Sequence, residues 1–295
     1  MILVRLFFIL LIVGPVTLGI YNLFRYRKLV APKTSNFFPA LLNSAVLYAL
    51  AYNLIYFLQE LFLVLGKNML GLEAYLYHNN HNWVGEHPMT SLMQGSGALA
   101  IFIIGILCLV GLSRFKDSKS SWRAFILWMA FHGLMQSLSQ VMVSFFAPTT
   151  DMGQALVGYL DIGQTALAGF SMISMIVIAL LSAWFARPFL TLAPSNAEND
   201  HPKFRLKYTR YAAFGAAFLG SILIVPFKIP PINQGLTPFL LLAFSVSWLW
   251  AASPYVKNLK ATPNRINDQI QWIPIVLLLV LLVCFRFVLA PGIKF

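Results

Sequence analysis

Side chains that could do chemistry collect in one part of this chain, between residues 60 and 161. Four of the five histidines lie there. They are accompanied by two acids that fall at the ends of apolar stretches, Glu60 and Asp151. Imidazole and carboxylate groups bind divalent metals, and each can also accept or donate a proton. The sequence therefore places its candidate chemistry in this region.

Three of these histidines stand close together in the segment from Tyr75 to Pro88, with Glu86 among them. Three imidazoles and a carboxylate could hold zinc or another divalent metal such as copper. The same Asn-rich and His-rich composition also fits a solvated loop that hydrogen-bonds to its own backbone. Both interpretations stay open. The candidate metal ligands are His78, His81, His87, His132 and Asp151.

Polar residues recur every four positions in two apolar stretches, which aligns them on one face of each predicted helix. A third stretch opens with Gln94-Gly-Ser-Gly-Ala, whose small residues let another helix approach closely. We expect these helices to pack with their polar faces together around an outward-facing recess. Interhelical hydrogen bonds that merely hold the bundle, at about 0.6 kcal/mol each, are the alternative. The predicted pocket residues are Tyr52, Tyr56, Gln59, Gln94, Gln136 and Gln140, with His132 deeper on the same stripe.

Eight apolar stretches must position these residues, and each is long enough to cross a bilayer. About twenty residues at a rise of about 1.5 Å span a hydrocarbon core of about 30 Å. The stretches are 2–23, 38–65, 94–112, 122–146, 162–185, 211–227, 236–256 and 272–290. With 59% hydrophobic and 10% charged residues, the chain has no room for a separate soluble domain. We predict an all-α, polytopic membrane bundle of about eight helices, with a short strand-like or loop-like outer segment after the second.

Basic residues are sorted between the gaps that separate these stretches. Alternate gaps hold sixteen of them, and the other gaps hold only Lys67 and Lys228. The sixteen are Arg25, Arg27, Lys28, Lys33, Arg114, Lys116, Lys119, Arg123, Arg187, Lys203, Arg205, Lys207, Arg210, Lys257, Lys260 and Arg265. Short cytoplasmic loops retain Lys and Arg, so these gaps are predicted to face the cytoplasm of a cell inner (plasma) membrane, with both termini outside.

The net charge of +12 is spread over four loops without interleaved aromatic residues. That pattern favours attraction to anionic lipid and argues against nucleic acid as a partner. The expected partner is the lipid bilayer, and another membrane protein is the second candidate. Arg286 lies close to the last residue and is expected to snorkel to the outer interface.

Prolines and polar residues in the segment 187–210, among them Pro188 and Pro202, predict a cytoplasmic linker without helix in its first part. This linker would divide the chain into a five-helix half, 1–186, and a three-helix half, 211–295. The second half contains almost no polar residue inside its apolar stretches apart from serines and Thr237. We therefore expect the functional groups to lie in the first half.

Three segments in the first half also carry a resemblance to a known family. They read Leu58-Gln-Glu-Leu-Phe-Leu63, then Gln94-Gly-Ser-Gly-Ala-Leu99 after the Tyr75 to Trp83 stretch, then Ala147-Pro-Thr-Thr-Asp-Met-Gly153. In order and spacing, residues 38–160 resemble the core of the site-2 protease family of intramembrane zinc metallopeptidases. That family carries H-E-x-x-H on its first core helix and a D-G motif that supplies the third metal ligand.

The resemblance implies that Glu60 would be the catalytic base, on condition that a metal is bound. Gln59 and Leu63 stand in the places of the two histidines, so the resemblance implies a degenerate core. Three functions remain open from the sequence. The first is a noncatalytic membrane protein that serves binding, assembly or regulation. The second is an intramembrane metallopeptidase with a relocated site of histidines and Asp151. The third is a transporter or channel with a polar pocket open to the outside.

Overall fold

A computed structural model of the 295-residue chain describes residues 2–29, 37–112, 114, 120–193, 201–257, 259 and 269–295. Helices form most of it. The elements of the first part are α1 (Ile2–Arg25), α2 (Phe38–Asn68), β1 (Glu73–Leu76), β2 (His81–Val84), α3 (Thr90–Met93), α4 (Ser96–Leu112), α5 (Ser120–Ser144), α6 (Asp151–Gly153) and α7 (Gln164–Leu190). Those of the second part are α8 (Pro202–Thr209), α9 (Ala216–Lys228), α10 (Thr237–Leu241), α11 (Ser247–Ala252), α12 (Trp272–Cys284) and β3 (Ile293–Lys294).

Several of these helices join through π-helical or 3-10 turns into longer rods. The segments Pro202–Lys228 and Gln234–Tyr255 are each continuous enough to count as one span. In the described part of the chain, seven helical segments are long and apolar enough to cross a membrane. The predicted all-α, multi-pass membrane bundle is thereby confirmed.

The remaining predicted span, 122–146, is α5. It has 25 residues but is less apolar than the other seven spans. Its length suffices to cross the bilayer, and its middle is enclosed by other helices. Trp128, Phe131 and His132 in this middle part are fully buried. A helix shielded from lipid can carry polar side chains, because its neighbours supply hydrogen-bond partners or fill the space around it.

Small residues let α5 and α2 pack tightly against α4. A Cβ atom on Gly133 of α5 would lie 2.6 Å from the backbone oxygen of Ile101, and one on Gly97 of α4 would lie 2.8 Å from that of Gln59. No larger side chain fits at either crossing without moving a backbone. The small-residue run at the start of the third predicted span therefore forms a close helix contact, as expected.

One end of the bundle, called here the hairpin end, carries a three-stranded antiparallel sheet in the order β2-β1-β3. In the hairpin, Glu73 pairs with Val84 and Leu76 with His81. β3 follows α12 and pairs Tyr75 with Lys294. The strand-like segment predicted after the second helix is this hairpin.

The opposite end, called here the basic end, brings together the loops that were predicted to be cytoplasmic. Lys203 Nζ donates to the backbone oxygen of Arg27 at 3.0 Å, which joins the loops after α1 and α7. Asn43 Nδ2 donates to the backbone oxygen of Gln269 at 2.9 Å, so the segment before α12 lies there too. Which end faces the cytoplasm stays a prediction from the charge pattern. Lys33, Lys116, Lys119, Lys260 and Arg265 lie outside the described residues.

Helix occupies more of the predicted linker than the prolines indicated. α7 continues to Leu190 with Pro188 inside it, and α8 begins at Pro202. The prediction that Pro188 prevents helix here was wrong, because Phe185, Phe189 and Leu190 are buried and hold the last turn against its neighbours. Residues 194–200 of that segment lie outside the described part.

The two predicted halves pack side by side in one bundle. α9 lies along α2, where a Cβ on Gly220 would lie 2.5 Å from the Tyr48 ring. Ser44 Oγ donates to the backbone oxygen of Ala212 at 2.6 Å along the same contact. The second half thus packs directly against α2, the helix that carries Tyr52, Tyr56 and Glu60.

Candidate functional site

A polar cavity of about 390 Å³ lies between the two halves at the hairpin end of the bundle. Of the predicted pocket residues, all but Gln94 line it, and Glu60, His81 and Asp151 line it as well. The cavity residues from the first half are Tyr52, Tyr56, Gln59, Glu60, Asn80, His81, Gln136, Ser139, Gln140, Val143, Thr150 and Asp151. Those from the second half are Lys228, Gln234, Thr237, Leu240, Leu241 and Phe244.

One wall of the cavity contains a buried ion pair between the hairpin and α2. His81 Nδ1 lies 2.7 Å from Glu60 Oε2, and His81 Nε2 lies 3.1 Å from Gln94 Oε1. Both ring nitrogens face oxygens, which is the hydrogen-bonding pattern of a protonated imidazole. Burial lowers the pKa of His81, but the hydrogen bond and charge of Glu60 outweigh it, so the pKa is raised overall. Gln94 thus contributes by orienting His81.

Asp151 is the second acid on the cavity and begins the short helix α6. Its carboxylate makes no hydrogen bond or ion pair of its own with any described side chain. Burial raises the pKa of Asp151, and the nearby Glu60 raises it further, while His81 and Lys67 oppose the shift. A cation placed beside Asp151 would favour its charged form.

Opposite these acids stands Lys228, the last residue of α9, which is only 2% exposed. Its ammonium lies over the ring of Tyr56 and 5.5 Å from the ring centroid of Tyr52. Aromatic faces attract cations, but they supply no acceptor for the three ammonium protons. Within the described structure, Nζ has no hydrogen-bond partner. Lys228 is therefore a buried lysine whose Nζ is not hydrogen-bonded to an anion in the described structure.

The turn after α9 is held by side chains from two other elements. Asn79 Nδ2 donates to the backbone oxygen of Lys228 at 2.9 Å and also to that of Pro230. Arg286 donates to the backbone oxygens of Pro226 and Ile229. The guanidinium thus binds carbonyl groups left free where the helix ends. That Arg286 snorkels to the outer interface stays a prediction. Both contacts fix where Lys228 enters the cavity.

Amide side chains line the cavity as well. Gln140 Nε2 donates to Gln59 Oε1 at 2.9 Å, across α5 and α2. Three further amide atoms on the cavity are buried with no partner in the described structure, namely Gln136 Nε2, Gln140 Oε1 and Gln234 Oε1. Together with Lys228 Nζ, four buried polar atoms without a partner thus belong to residues that line one cavity.

The cavity is closed toward the basic end by a cluster of rings. The centroid of His132 lies 4.4 Å from that of Tyr48 and 5.3 Å from that of Tyr52, and Trp128 stacks on it at 5.8 Å. Neither nitrogen of His132 has a hydrogen-bond partner among the described residues. His132 does not line the cavity, so it belongs to the packed floor beneath it.

The predicted metal ligands do not come together. Within the described residues, no group of three or more His, Cys, Asp or Glu side chains could hold a metal ion. His81 is engaged by Glu60, His87 Nδ1 accepts a hydrogen bond from Met89 N at 3.1 Å, and His132 lies in the floor. His78 lies in the hairpin turn, where burial and then Arg286 and Lys228 lower its pKa. His78, His81 and His87 are close in sequence, but the hairpin directs their side chains toward different neighbours.

Sequence reasoning missed the contribution of the second half. Lys228 and Gln234 come from a region that was expected to be almost free of buried polar groups, whereas Thr237 had been named as an exception. One signal was available: Lys228 is one of only two lysines in the gaps that lack basic residues. A single basic residue in the gaps that otherwise lack basic residues is a candidate functional residue, as is a charged residue buried within a membrane span.

Comparison with protein-family models, with curated proteins and with solved structures found no match. The resemblance to the site-2 protease family therefore rests on the residues alone. Glu60 and Asp151, the two positions that agree with the family pattern, both line the cavity. Gln59 also lines it, whereas Leu63 is fully buried.

Proposed function

We propose that this integral membrane protein binds a small polar ligand in the cavity at its hairpin end and does no chemistry on it. The observation that carries the proposal is the concentration of unused polar atoms, from Lys228, Gln136, Gln140 and Gln234, around one cavity. A buried donor or acceptor without a partner costs about 1 to 3 kcal/mol, more if it is charged. A ligand that pairs with these atoms recovers this free energy on binding.

The volume of the cavity suits this role. At about 390 Å³, it lies in the lower part of the range of about 300 to 1,000 Å³ that small-molecule sites occupy. Polar groups from α2, α5, α6, α9 and the hairpin converge on it. Convergence of this kind from several elements fixes the orientation of a ligand.

The packed rings beneath the cavity favour a binding role over passage through the membrane. Tyr48, Trp128 and His132 fill the bundle below the cavity with packed rings, and all three are fully buried. A through-passage would need polar lining that continues toward the basic end. This arrangement supports a pocket with a single entrance.

A binding role is also favoured over peptidase chemistry. In the resemblance to the site-2 protease family, Gln59 and Leu63 stand where the two metal-binding histidines belong. Glu60, the residue in the place of the catalytic base, is engaged by His81 at 2.7 Å. We propose a peptidase-like core whose former catalytic region serves binding. Stoichiometric zinc, copper or iron in the purified protein would overturn the noncatalytic part of this proposal.

Thermal unfolding in the presence of a broad panel of small water-soluble compounds tests ligand binding. A compound that binds the folded state raises the Tm by mass action. Ser139→Trp should abolish this increase, because Ser139 lines the cavity and the indole would fill it. Ser139→Ala is the matched control, since it removes the hydroxyl without filling the space, and it should keep the increase. The proposal fails if no compound raises the Tm of the wild type, or if every increase persists in Ser139→Trp.

A further inference from the structure

We infer that the ligand is a small zwitterion, with its anionic group held by Lys228 and its cationic group held by Asp151. This inference rests on the proposed function and names the chemical class of the ligand. It comes from which charges around the cavity are already paired and which are not.

Two acids, one histidine and one lysine line the cavity, and one of the acids is paired with the histidine. Glu60 and His81 form an ion pair at 2.7 Å with both side chains buried. Lys228 has no hydrogen-bond partner in the described structure, and its ammonium rests on aromatic rings. Asp151 makes no ion pair with a described residue. After pairing, Lys228 and Asp151 are the two lining residues left without an ion pair in the described structure. Lys67, a buried lysine near Asp151, does not line the cavity.

Charge balance in a buried site selects the ligand. A simple carboxylic acid would compensate Lys228 but leave Asp151 unmatched, and a simple amine would do the reverse. Each charge left buried without a partner weakens binding, since desolvation is then not offset. A ligand that carries both charges compensates both residues.

Other lining residues fit the same ligand. Gln136, Gln140 and Gln234 line the cavity, and each has one amide atom, a donor or an acceptor, without a partner in the described structure. They can bind polar groups of the segment that joins the two charges. The lysine stem is flexible, so the ammonium can leave the Tyr56 ring to meet an anion.

A matched series of probes tests this assignment on the purified full-length protein in detergent micelles or nanodiscs. The zwitterions are glycine, β-alanine, 4-aminobutyrate, 5-aminopentanoate and 6-aminohexanoate. Each is compared with the carboxylate and the amine of the same chain length. Saturation-transfer NMR titration measures weak binding of all three sets, and the length series reports the separation of the two charges.

We expect at least one zwitterion to bind about 10- to 100-fold more tightly than its matched carboxylate and amine, as one extra charge-assisted contact implies. Lys228→Met should reduce its affinity to that of the amine. Asp151→Asn should reduce it to that of the carboxylate. Lys294→Met and Glu73→Gln, which break a half-exposed ion pair of 2.8 Å on the sheet, are charge-matched controls and should leave binding unchanged.

Two results separate this inference from the proposed function. If carboxylates bind as tightly as zwitterions and Asp151→Asn changes nothing, the ligand is an anion; the zwitterion assignment is then wrong while ligand binding stands. If no zwitterion binds but other compounds in the broad panel do so in a manner that Ser139→Trp abolishes, the assignment is again wrong. If nothing binds at all, both fall together. Circular dichroism of each variant shows whether it is folded.

Discussion

His81 Nδ1 lies 2.7 Å from Glu60 Oε2, and this buried contact fastens the hairpin to α2. The second ring nitrogen faces Gln94 Oε1 at 3.1 Å, so both nitrogens act as donors when the ring is protonated. The hairpin, which covers part of the cavity, is therefore held through a charge that depends on pH.

This contact predicts that the protein loses stability as the pH rises through neutrality. The pKa of His81 is raised above 6.5 in the folded state, so its stabilising contribution is complete below about 6.5 and is lost as the pH rises through the raised value. The raised pKa of Asp151 acts in the same direction from about 3.8 upward. We expect the Tm of the wild type to fall as the pH rises above about 6.5.

His81→Gln and Glu60→Gln should both flatten this decline, because each removes one partner of the pair. The double variant should be no flatter than either single variant, as expected for residues that act as a unit. Tm measured at half-unit pH steps checks this. A His81→Gln profile parallel to that of the wild type would show that the pair carries no charge.

The hydrogen bonds from Asn79 to the turn after α9 predict an effect on ligand binding from a residue outside the cavity. Asn79→Ala removes the donors to the backbone oxygens of Lys228 and Pro230. Leaving buried acceptors unpaired should lower the free energy of unfolding by about 1 to 3 kcal/mol. Ligand affinity should fall as well, because the turn that positions Lys228 is released, although Asn79 does not line the cavity.

Asn82→Ala is the matched control for Asn79→Ala. Asn82 is exposed, and its Oδ1 accepts only a local bond from Trp83 N at 2.9 Å in the described structure. Its removal should leave both stability and affinity close to those of the wild type. Equal losses in the two variants would mean that the turn does not depend on Asn79.

The crossing of α4 and α5 predicts a strong size limit at Gly133. A methyl group there would meet the backbone oxygen of Ile101 at 2.6 Å, so the helices must separate. Gly133→Ala should lower the free energy of unfolding by about 1 to 3 kcal/mol. Gly169→Ala is the control: a Cβ there meets nothing within 4 Å. It should be neutral or slightly stabilising, and unfolding in graded denaturant compares the two.

His132 should be dispensable for binding. Both of its nitrogens are buried without a hydrogen-bond partner among the described residues, and it does not line the cavity. His132→Leu removes that unsatisfied polarity, so we expect stability to be unchanged or to rise by about 1 kcal/mol. Ligand affinity should be unchanged. A loss of affinity in a variant that keeps its Tm would place His132 in the site.

The spacing of polar residues along single helices predicted much of the candidate site. Positions four apart share a helix face, so Tyr52, Tyr56 and Glu60 on α2, and Gln136 and Gln140 on α5, could be assigned to one recess before their contacts were known. These residues do line one cavity. Helix periodicity is a local property, and it is readable from one sequence.

What the sequence did not predict depends on contacts between distant segments. Asn79 and Lys228 are 149 positions apart, and no local pattern indicates that one holds the other. The grouping of His78, His81 and His87 failed for the opposite reason. They are close in sequence, but the direction of each side chain is set by the turn and pairing of the hairpin, and these arise only when the strands fold.

The three-stranded sheet imposes an order on assembly. β1 emerges from the ribosome soon after α2, whereas its partner β3 follows α12 and pairs with it only afterwards, with Phe295 N donating to the backbone oxygen of Ala74 at 2.9 Å. One edge of β1 must wait unpaired through most of synthesis, and an open strand edge invites wrong pairing. Closing that edge marks the moment when the final helix has been inserted.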